Sequence, residues 1–147
     1  MTTLYQQFNA ALQRRLEANL VIAGELVATE VRRNIQKSPR GGKTYVKTNP
    51  NRVHKASAPG ESPATDLGFL VRSIQTEPDL DNLRIRVVSL FTIAPYARRL
   101  EFGDMARGLQ PRPFMFKSLA AKKQKAEDLM KKALNAAIRD MQGADIQ

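Results

Sequence analysis

The stretch "SIQTEPDLDNLRIRVVSL", residues 73–90, decides the fold class of this 147-residue chain. "SIQTE" has the character of an extended segment, "PDLDN" is a cluster of turn-forming residues, and "LRIRVVSL" alternates apolar and basic positions. Alternation with a period of two is typical of a strand with one buried face, because successive side chains point to opposite faces. The stretch therefore predicts an antiparallel hairpin in which residues 72–78 pair with residues 83–91.

Upstream, residues 3–36 have the pattern of one long amphipathic helix, roughly 50 Å in length. Its apolar residues recur at spacings of three or four. Gly24 interrupts the pattern and indicates either a weak point or the close approach of another element. A stripe this long packs on the domain's own sheet, or else part of it packs on a neighbouring subunit. The members of the stripe are Leu4, Phe8, Leu12, Leu16, Leu20, Ala23, Val27, Val31 and Ile35.

Between this helix and the hairpin, residues 37–66 predict a long extended basic loop. The segment is rich in Pro, Gly, Ser, Thr and Asn, and no acidic residue occurs from Val31 through Gly60. Thr44 to Lys47 suits a short strand of a hairpin, and Asp66 suits the N-cap of a short helical turn that runs towards Ile74. The basic residues proposed for docking or for DNA contact are Arg40, Lys43, Lys47, Arg52 and Lys55.

Downstream, "APYARRLEFGDMARGLQPRPFMF", residues 94–116, predicts a two-turn helix that starts at Pro95 and stops at Gly103. A basic loop and a proline-fixed link follow, and Phe114 with Met115 could add a short strand. A last helix is expected from Lys117 to about Met141. Its buried face is predicted to hold Leu119, Ala126, Leu129, Met130, Ala133, Ala137 and Met141.

Together these segments predict a single α+β domain over residues 1–147, in which residues 67–116 supply the sheet and the short helix. A small antiparallel sheet is covered by a long N-terminal helix, a short central helix and a C-terminal helix. The absence of cysteine excludes disulfides and thiolate metal sites, and fits a reducing cytoplasm. No apolar run approaches 18 residues and the N-terminus lacks a signal pattern, so we expect a soluble protein that acts where it is made.

Catalysis would require residues that this chain lacks. His54 is the only histidine and lies in the predicted loop, so neither a transition-metal site nor an activated serine is expected. The acidic cluster at Glu77, Asp79 and Asp81 falls on a turn, where carboxylates are solvated. "PRGGK" lacks the spacing of a phosphate-binding loop. We therefore expect no enzyme activity, no metal and no cofactor.

The net charge of +10 predicts attraction to polyanions, which include nucleic acid, anionic membranes and acidic protein surfaces. Only Tyr45 interleaves the basic stretch, so base stacking on single strands is weakly supported. No helix-turn-helix or zinc-finger signature is present. A basic protein that binds nucleic acid non-specifically nevertheless remains the alternative function.

Four motifs in order resemble the small neck or tail-completion proteins of long-tailed bacteriophages, the lambdoid-type minor tail component family. The resemblance covers about residues 38–120, and the flanking helices fit it. The family tends to carry Thr or Ser after its Glu-Phe-Gly, where this chain has Asp104, and a small polar residue where this chain has Leu67. The motifs are Ala58-Pro59-Gly60, Gly68 to Ile74, Tyr96-Ala97 with Glu101-Phe102-Gly103, and Pro111-Arg112-Pro113-Phe114.

The resemblance implies a structural virion protein of the head–tail junction that forms a ring around the DNA channel. It implies six or twelve copies, a connector or head-completion protein on one side, and a tail terminator or tail tube protein on the other. Genomic DNA in the channel is a further expected contact, a membrane is not, and assembly would take place in the host cytoplasm. A ring needs two different matching patches on each subunit. Candidates for these contacts are Arg98, Glu101, Gly103, Asp104, Arg107 and Arg112.

Overall fold

The computed structural model describes residues 3–144 and has the predicted α+β class, with two long helices and two small antiparallel sheets. The expectation of one small sheet is incomplete, because a second two-stranded sheet forms inside the segment that was expected to be a loop. A single 3₁₀ turn covers Met105–Arg107. The elements are α1 (Leu4–Gln36), β1 (Thr44–Thr48), β2 (Asn51–Lys55), α2 (Phe69–Ser73), β3 (Ile74–Asp79), β4 (Arg84–Ser89), α3 (Ala97–Phe102) and α4 (Met115–Ala144).

The helix α1 begins at a capping box. The Thr3 hydroxyl accepts a hydrogen bond from the backbone N–H of Gln6 at 3.3 Å, and the Gln6 side chain accepts one from the N–H of Thr3 at 2.9 Å. These two bonds satisfy backbone donors that a helix start otherwise leaves free. The cap explains why the helix begins within one residue of the predicted position.

The two long helices α1 and α4 pack against each other in antiparallel orientation. Asn34 donates to the Ser118 hydroxyl at 2.9 Å near one end, and Lys122 lies 3.2 Å from Glu30. Arg15 pairs with Asp140 towards the other end. The C-terminal half of α1 also packs on β3 and β4. The stripe on α1 is therefore covered by a helix as well as by a sheet.

The predicted hairpin of residues 73–90 is confirmed, with β3 and β4 paired from Ile74↔Ser89 to Asp79↔Arg84. The hydroxyls of Ser73 and Ser89 are 2.7 Å apart and close its open end. Arg32 of α1 donates to the Ile74 carbonyl at 2.8 Å. The bond from Arg32 fixes the hairpin on α1, and Ile74 is buried. The core comprises Val27, Ala28, Val31, Ile35, Leu70, Ile74, Ala94, Ala97 and Phe114.

The burial of the α1 stripe changes along the helix. Its members from Ala23 to Ile35 are buried, whereas Phe8, Leu12, Leu16 and Leu20 are only half-buried. The side chain of Leu4 lies outside the described residues. The half-buried part belongs to the N-terminal half of α1, where Arg15 pairs with Asp140 of α4.

Two local predictions are wrong, because tertiary contacts replace the local pattern. The α2 helix starts after Gly68, which has φ 77°, and receives no side-chain cap. Asp66 instead pairs with cations of the β1–β2 hairpin. Phe114 and Met115 form no strand, because Met115 already begins α4.

The predicted buried face of α4 is also only partly correct. Ala133 and Ala137 are buried, since small residues allow α1 and α4 to approach closely. Leu119 and Met141 are instead exposed. Within residues 3–144, no helix combines the length and apolar character needed to cross a lipid bilayer.

Gly24 lies under Ile85 of β4, which explains a glycine inside α1. A Cβ atom at position 24 would lie 2.2 Å from Ile85 Cδ1. We expect Gly24→Ala to lower the free energy of unfolding by about 2 kcal/mol, since overpacking outweighs the gain in helix propensity. In an Ile85→Ala background the same change should stabilise by up to about 1 kcal/mol. Urea unfolding of the four proteins measures both values, and equal effects in the two backgrounds would contradict this account.

Candidate subunit interface

Glu101 is buried, with 9% of its surface exposed, and it caps the start of α4. One carboxylate oxygen accepts the backbone N–H groups of Phe114 at 2.8 Å and Met115 at 3.0 Å, and the other accepts that of Phe116 at 2.9 Å. A carboxylate is favourable there because free N–H groups and the helix dipole concentrate positive charge. Glu101 was expected to be exposed, which is wrong, because it is buried and its charge is used inside the subunit. Its part in a subunit contact stays a prediction.

Two distant motifs, the Ala-Pro-Gly and the Pro-Arg-Pro-Phe segments, are joined by hydrogen bonds. The N–H of Gly60 donates to the Pro111 carbonyl at 2.9 Å. The side chain of Arg112 donates to the buried Ser57 carbonyl at 3.1 Å, and its own N–H donates to Leu100 at 2.7 Å. Arg112 was expected to be free for a partner, but it is half-buried and fixes this junction.

Glu61 is a framework residue that the sequence analysis missed. Its carboxylate accepts the N–H groups of Ala58 at 2.8 Å and Gly41 at 2.9 Å. These two bonds, that of Ala58 above all, hold the pKa of Glu61 below its usual value. The bond to Gly41 attaches the base of the β1–β2 hairpin to the Ala-Pro-Gly turn. Only the position of Glu61 directly after that motif could have indicated this role.

The segment after α3 forms a closed turn between Asp104 and Leu109. Their backbones exchange two hydrogen bonds, at 2.8 and 2.9 Å. The Asp104 side chain accepts from Arg107 at 2.8 Å and lies 3.6 Å from Arg99. The hydrogen bond from Arg107, followed by the charges of both arginines, lowers the pKa of Asp104. Asp104 thus stabilises the turn, and Arg107 is exposed on it.

The β1–β2 hairpin holds part of its basic charge against the body of the domain. Asp66 lies 2.8 Å from Arg52, 3.7 Å from Lys47 and 3.7 Å from His54. Two of the basic residues predicted for docking or DNA contact therefore have an acidic partner within the chain. Arg40, Lys43 and Lys55 are exposed.

The opposite face of this hairpin is almost uncharged and points away from Asp66. Val46 and Val53 are directly paired across the strands, and each is 68% exposed. Side chains alternate between the two faces of a strand, so Val46 and Val53 share a face with their second neighbours. We call this surface the outer hairpin face; it consists of Thr44, Val46, Thr48, Asn51, Val53 and Lys55.

A second exposed apolar surface is an open groove between α1, α4, β4 and α3, with a volume of about 1050 Å³. Its floor includes Val27 and Val87, and Arg98 is one of its lining residues. Three phenylalanines in its lining are 71–76% exposed, which is unusual for such large apolar side chains. We call this surface the helix groove; these three residues are Phe91, Phe102 and Phe116.

The helix α3 separates the two surfaces. Arg98 and Phe102 line the helix groove. Tyr96 and Leu100 instead line a smaller depression against the inner face of the β1–β2 hairpin, together with Asp66 and Arg52. The two apolar surfaces therefore lie on different sides of the molecule.

No metal-binding group of three or more His, Cys, Asp or Glu side chains occurs in the part of the chain that the structure describes. The chain matches no protein-family model, no curated protein and no solved structure.

Proposed function

We propose that the protein is a non-enzymatic structural subunit of a phage head–tail junction, which forms a ring that joins the connector to the tail around the DNA channel. The observation that carries the proposal is the pair of surfaces with exposed large apolar side chains, the valine pair of the β1–β2 hairpin and the three phenylalanines of the helix groove. Large apolar side chains grouped on the surface of a small, strongly charged protein suit subunit contacts. The four motifs resemble those of neck and tail-completion proteins, and this resemblance is the reason for proposing a ring at the head–tail junction.

The use of the motif residues supports a structural role. Glu101, Arg112 and Gly60 form hydrogen bonds that join α3, α4 and the base of the β1–β2 hairpin. These hydrogen bonds fix the positions of α3, α4 and the β1–β2 hairpin relative to one another, and with them the surfaces that these elements carry. Such a framework suits a subunit whose edges must meet those of its neighbours.

The alternative function, non-specific binding to nucleic acid, is supported by the net charge of +10. It is weakened by the pairing of Lys47 and Arg52 with Asp66, which neutralises part of the basic segment. We therefore assign the basic segment to docking on acidic surfaces of the adjacent rings, and not to the DNA in the channel.

Electron microscopy of the purified protein, alone and with its connector and tail partners, tests the proposal. We expect closed rings of six or twelve subunits, and disruption of the gene in its phage should give DNA-filled heads and separate tails. A protein that stays monomeric with these partners and shifts duplex DNA, with an affinity that falls steeply with salt, would instead support the alternative.

The two exposed cations Arg40 and Lys43 allow a separate test of docking. Changing both to Gln should leave the fold intact and reduce the joining of heads to tails, since the side chains are solvated and their charges are available to a partner. The matched control removes the same charge from α4 at Lys125 and Lys132, which are exposed on α4. Normal joining combined with leakage or failed ejection of DNA would place this segment in the channel instead.

A further inference from the structure

We propose that the outer hairpin face of one subunit docks into the helix groove of a second copy of this chain. This inference rests on the proposed ring and specifies which two patches meet in it. The contact is heterologous, because a hairpin on one subunit meets a groove on the next. Repetition of such a contact produces a closed ring when the rotation between subunits closes, and a filament when it does not.

The chemistry of the helix groove selects an apolar, uncharged occupant. Its floor is formed by aliphatic side chains, and Phe91, Phe102 and Phe116 project around them. Glu101 lines the groove, but both of its oxygens are occupied by the start of α4. A charged group placed on this floor would lose hydration without gaining a partner.

The outer hairpin face has an apolar centre and little charge. Five of its six residues are uncharged, and the two exposed valines lie side by side at its centre. The cations on the other face of the same hairpin, Lys47 and Arg52, pair with Asp66 of their own subunit. The outer face can therefore be buried without burying those charges. Lys55 lies at the end of the strand, and Glu127 is an acidic residue in the groove lining that it can meet.

A groove-to-groove dimer fits less well than this arrangement. It would leave the outer hairpin face, with Val46 and Val53 each 68% exposed, uncovered. The positions of the two surfaces on different sides of α3 prevent the hairpin from reaching its own groove in this conformation.

The absence of cysteine permits a direct test by cross-linking. Full-length Val53→Cys and Phe102→Cys are mixed and treated with a short bis-maleimide. We expect a covalent heterodimer from the mixture, and from the double variant a ladder that ends at the number of subunits in the ring. Arg139→Cys, on the exposed side of α4, replaces Phe102→Cys as the control and should give no heterodimer with Val53→Cys.

A second measurement is sedimentation of the full chain with Val46→Ser and Val53→Ser. Both positions are solvent-exposed, so the thermal unfolding temperature should change little while self-association weakens by about tenfold or more for each valine removed from the contact. Thr48→Ser on the same face is the matched control. Unchanged self-association in the double variant would overturn the inference.

The outcomes also separate this inference from the proposed function. If the wild type forms rings but cysteines at positions 53 and 102 do not cross-link, the proposed ring is retained and the docking assignment is overturned. Cross-linking of Phe102→Cys to itself would indicate a groove-to-groove dimer and overturn the assignment as well. A groove that binds an acidic apolar peptide, with no contact between copies, would identify a different occupant and also overturn it.

Discussion

Glu101→Ala should lower the free energy of unfolding by about 3 kcal/mol, because it removes the acceptor for three backbone N–H groups at the start of α4. The loss combines the unpaired buried donors with the lost interaction between a carboxylate and the helix dipole. Urea unfolding followed by circular dichroism measures it. The loss should appear as a shift of the midpoint with little change in slope.

Two variants define the source of this effect. Glu101→Gln keeps the shape and one acceptor oxygen but removes the charge, so it should fall between the wild type and Glu101→Ala. Asp128→Ala, an exposed acidic position on α4, should change stability by less than about 0.5 kcal/mol. If Glu101→Ala were no more destabilising than Asp128→Ala, the capping role would be wrong.

Gly103→Ala should lower the free energy of unfolding by about 3 kcal/mol or more, through strain in the link between α3 and α4. Gly103 has φ 80° and ψ 176°, a conformation that is essentially restricted to glycine. An added Cβ would also lie 2.8 Å from the Leu109 carbonyl oxygen and 3.0 Å from Pro111 Cδ. Gly103→Val should be worse, because a β-branched side chain resists positive φ more strongly.

Gly108 provides a matched control for Gly103 in the same turn. It also has positive φ, at 63°, but no atom lies within 4 Å of its added Cβ. Gly108→Ala should therefore cost only about 1 kcal/mol, the conformational penalty alone. Thermal unfolding of the two variants compares them directly. Equal losses would contradict this account of Gly103, in its conformation as well as in its contact with Leu109.

The fold class could be predicted from sequence because its signals are local. The alternation in residues 83–90 and the stripe on α1 each lie within one element, and both correspond to observed elements. Gly24 also gave a correct signal, the close approach of another element, although the sequence could not identify Ile85 as the contact.

The roles of the polar residues could not be predicted, because their partners are distant in sequence. Glu101 accepts from N–H groups 13 to 15 residues further along the chain, whereas a local capping box spans three. Asp66 has the sequence position of a helix cap, but the fold brings Arg52 within 2.8 Å of it. The sequence therefore predicted more unpaired basic side chains in this loop than the structure has, since Lys47 and Arg52 pair with Asp66.

The helix groove was missed because the packing of α4 depends on small residues. Periodicity placed Leu119 and Ala133 on one buried face. In the structure Ala133 meets α1, and Leu119 lines the groove with 49% of its surface exposed. The part of a wide apolar face that stays uncovered depends on how the other elements pack against it. This packing cannot be predicted directly from the sequence.

The antiparallel pairing of α1 with α4 also sets an order of events during synthesis. Asn34 and Ser118 meet in the folded chain but are 84 residues apart. At elongation rates of about 5–20 residues per second, the ribosome needs about 4–17 s to make the intervening segment. During that interval the apolar stripe of α1 is outside its final packing, since its partner helix does not yet exist. We therefore expect the nascent α1 to be open to chaperone binding during this interval.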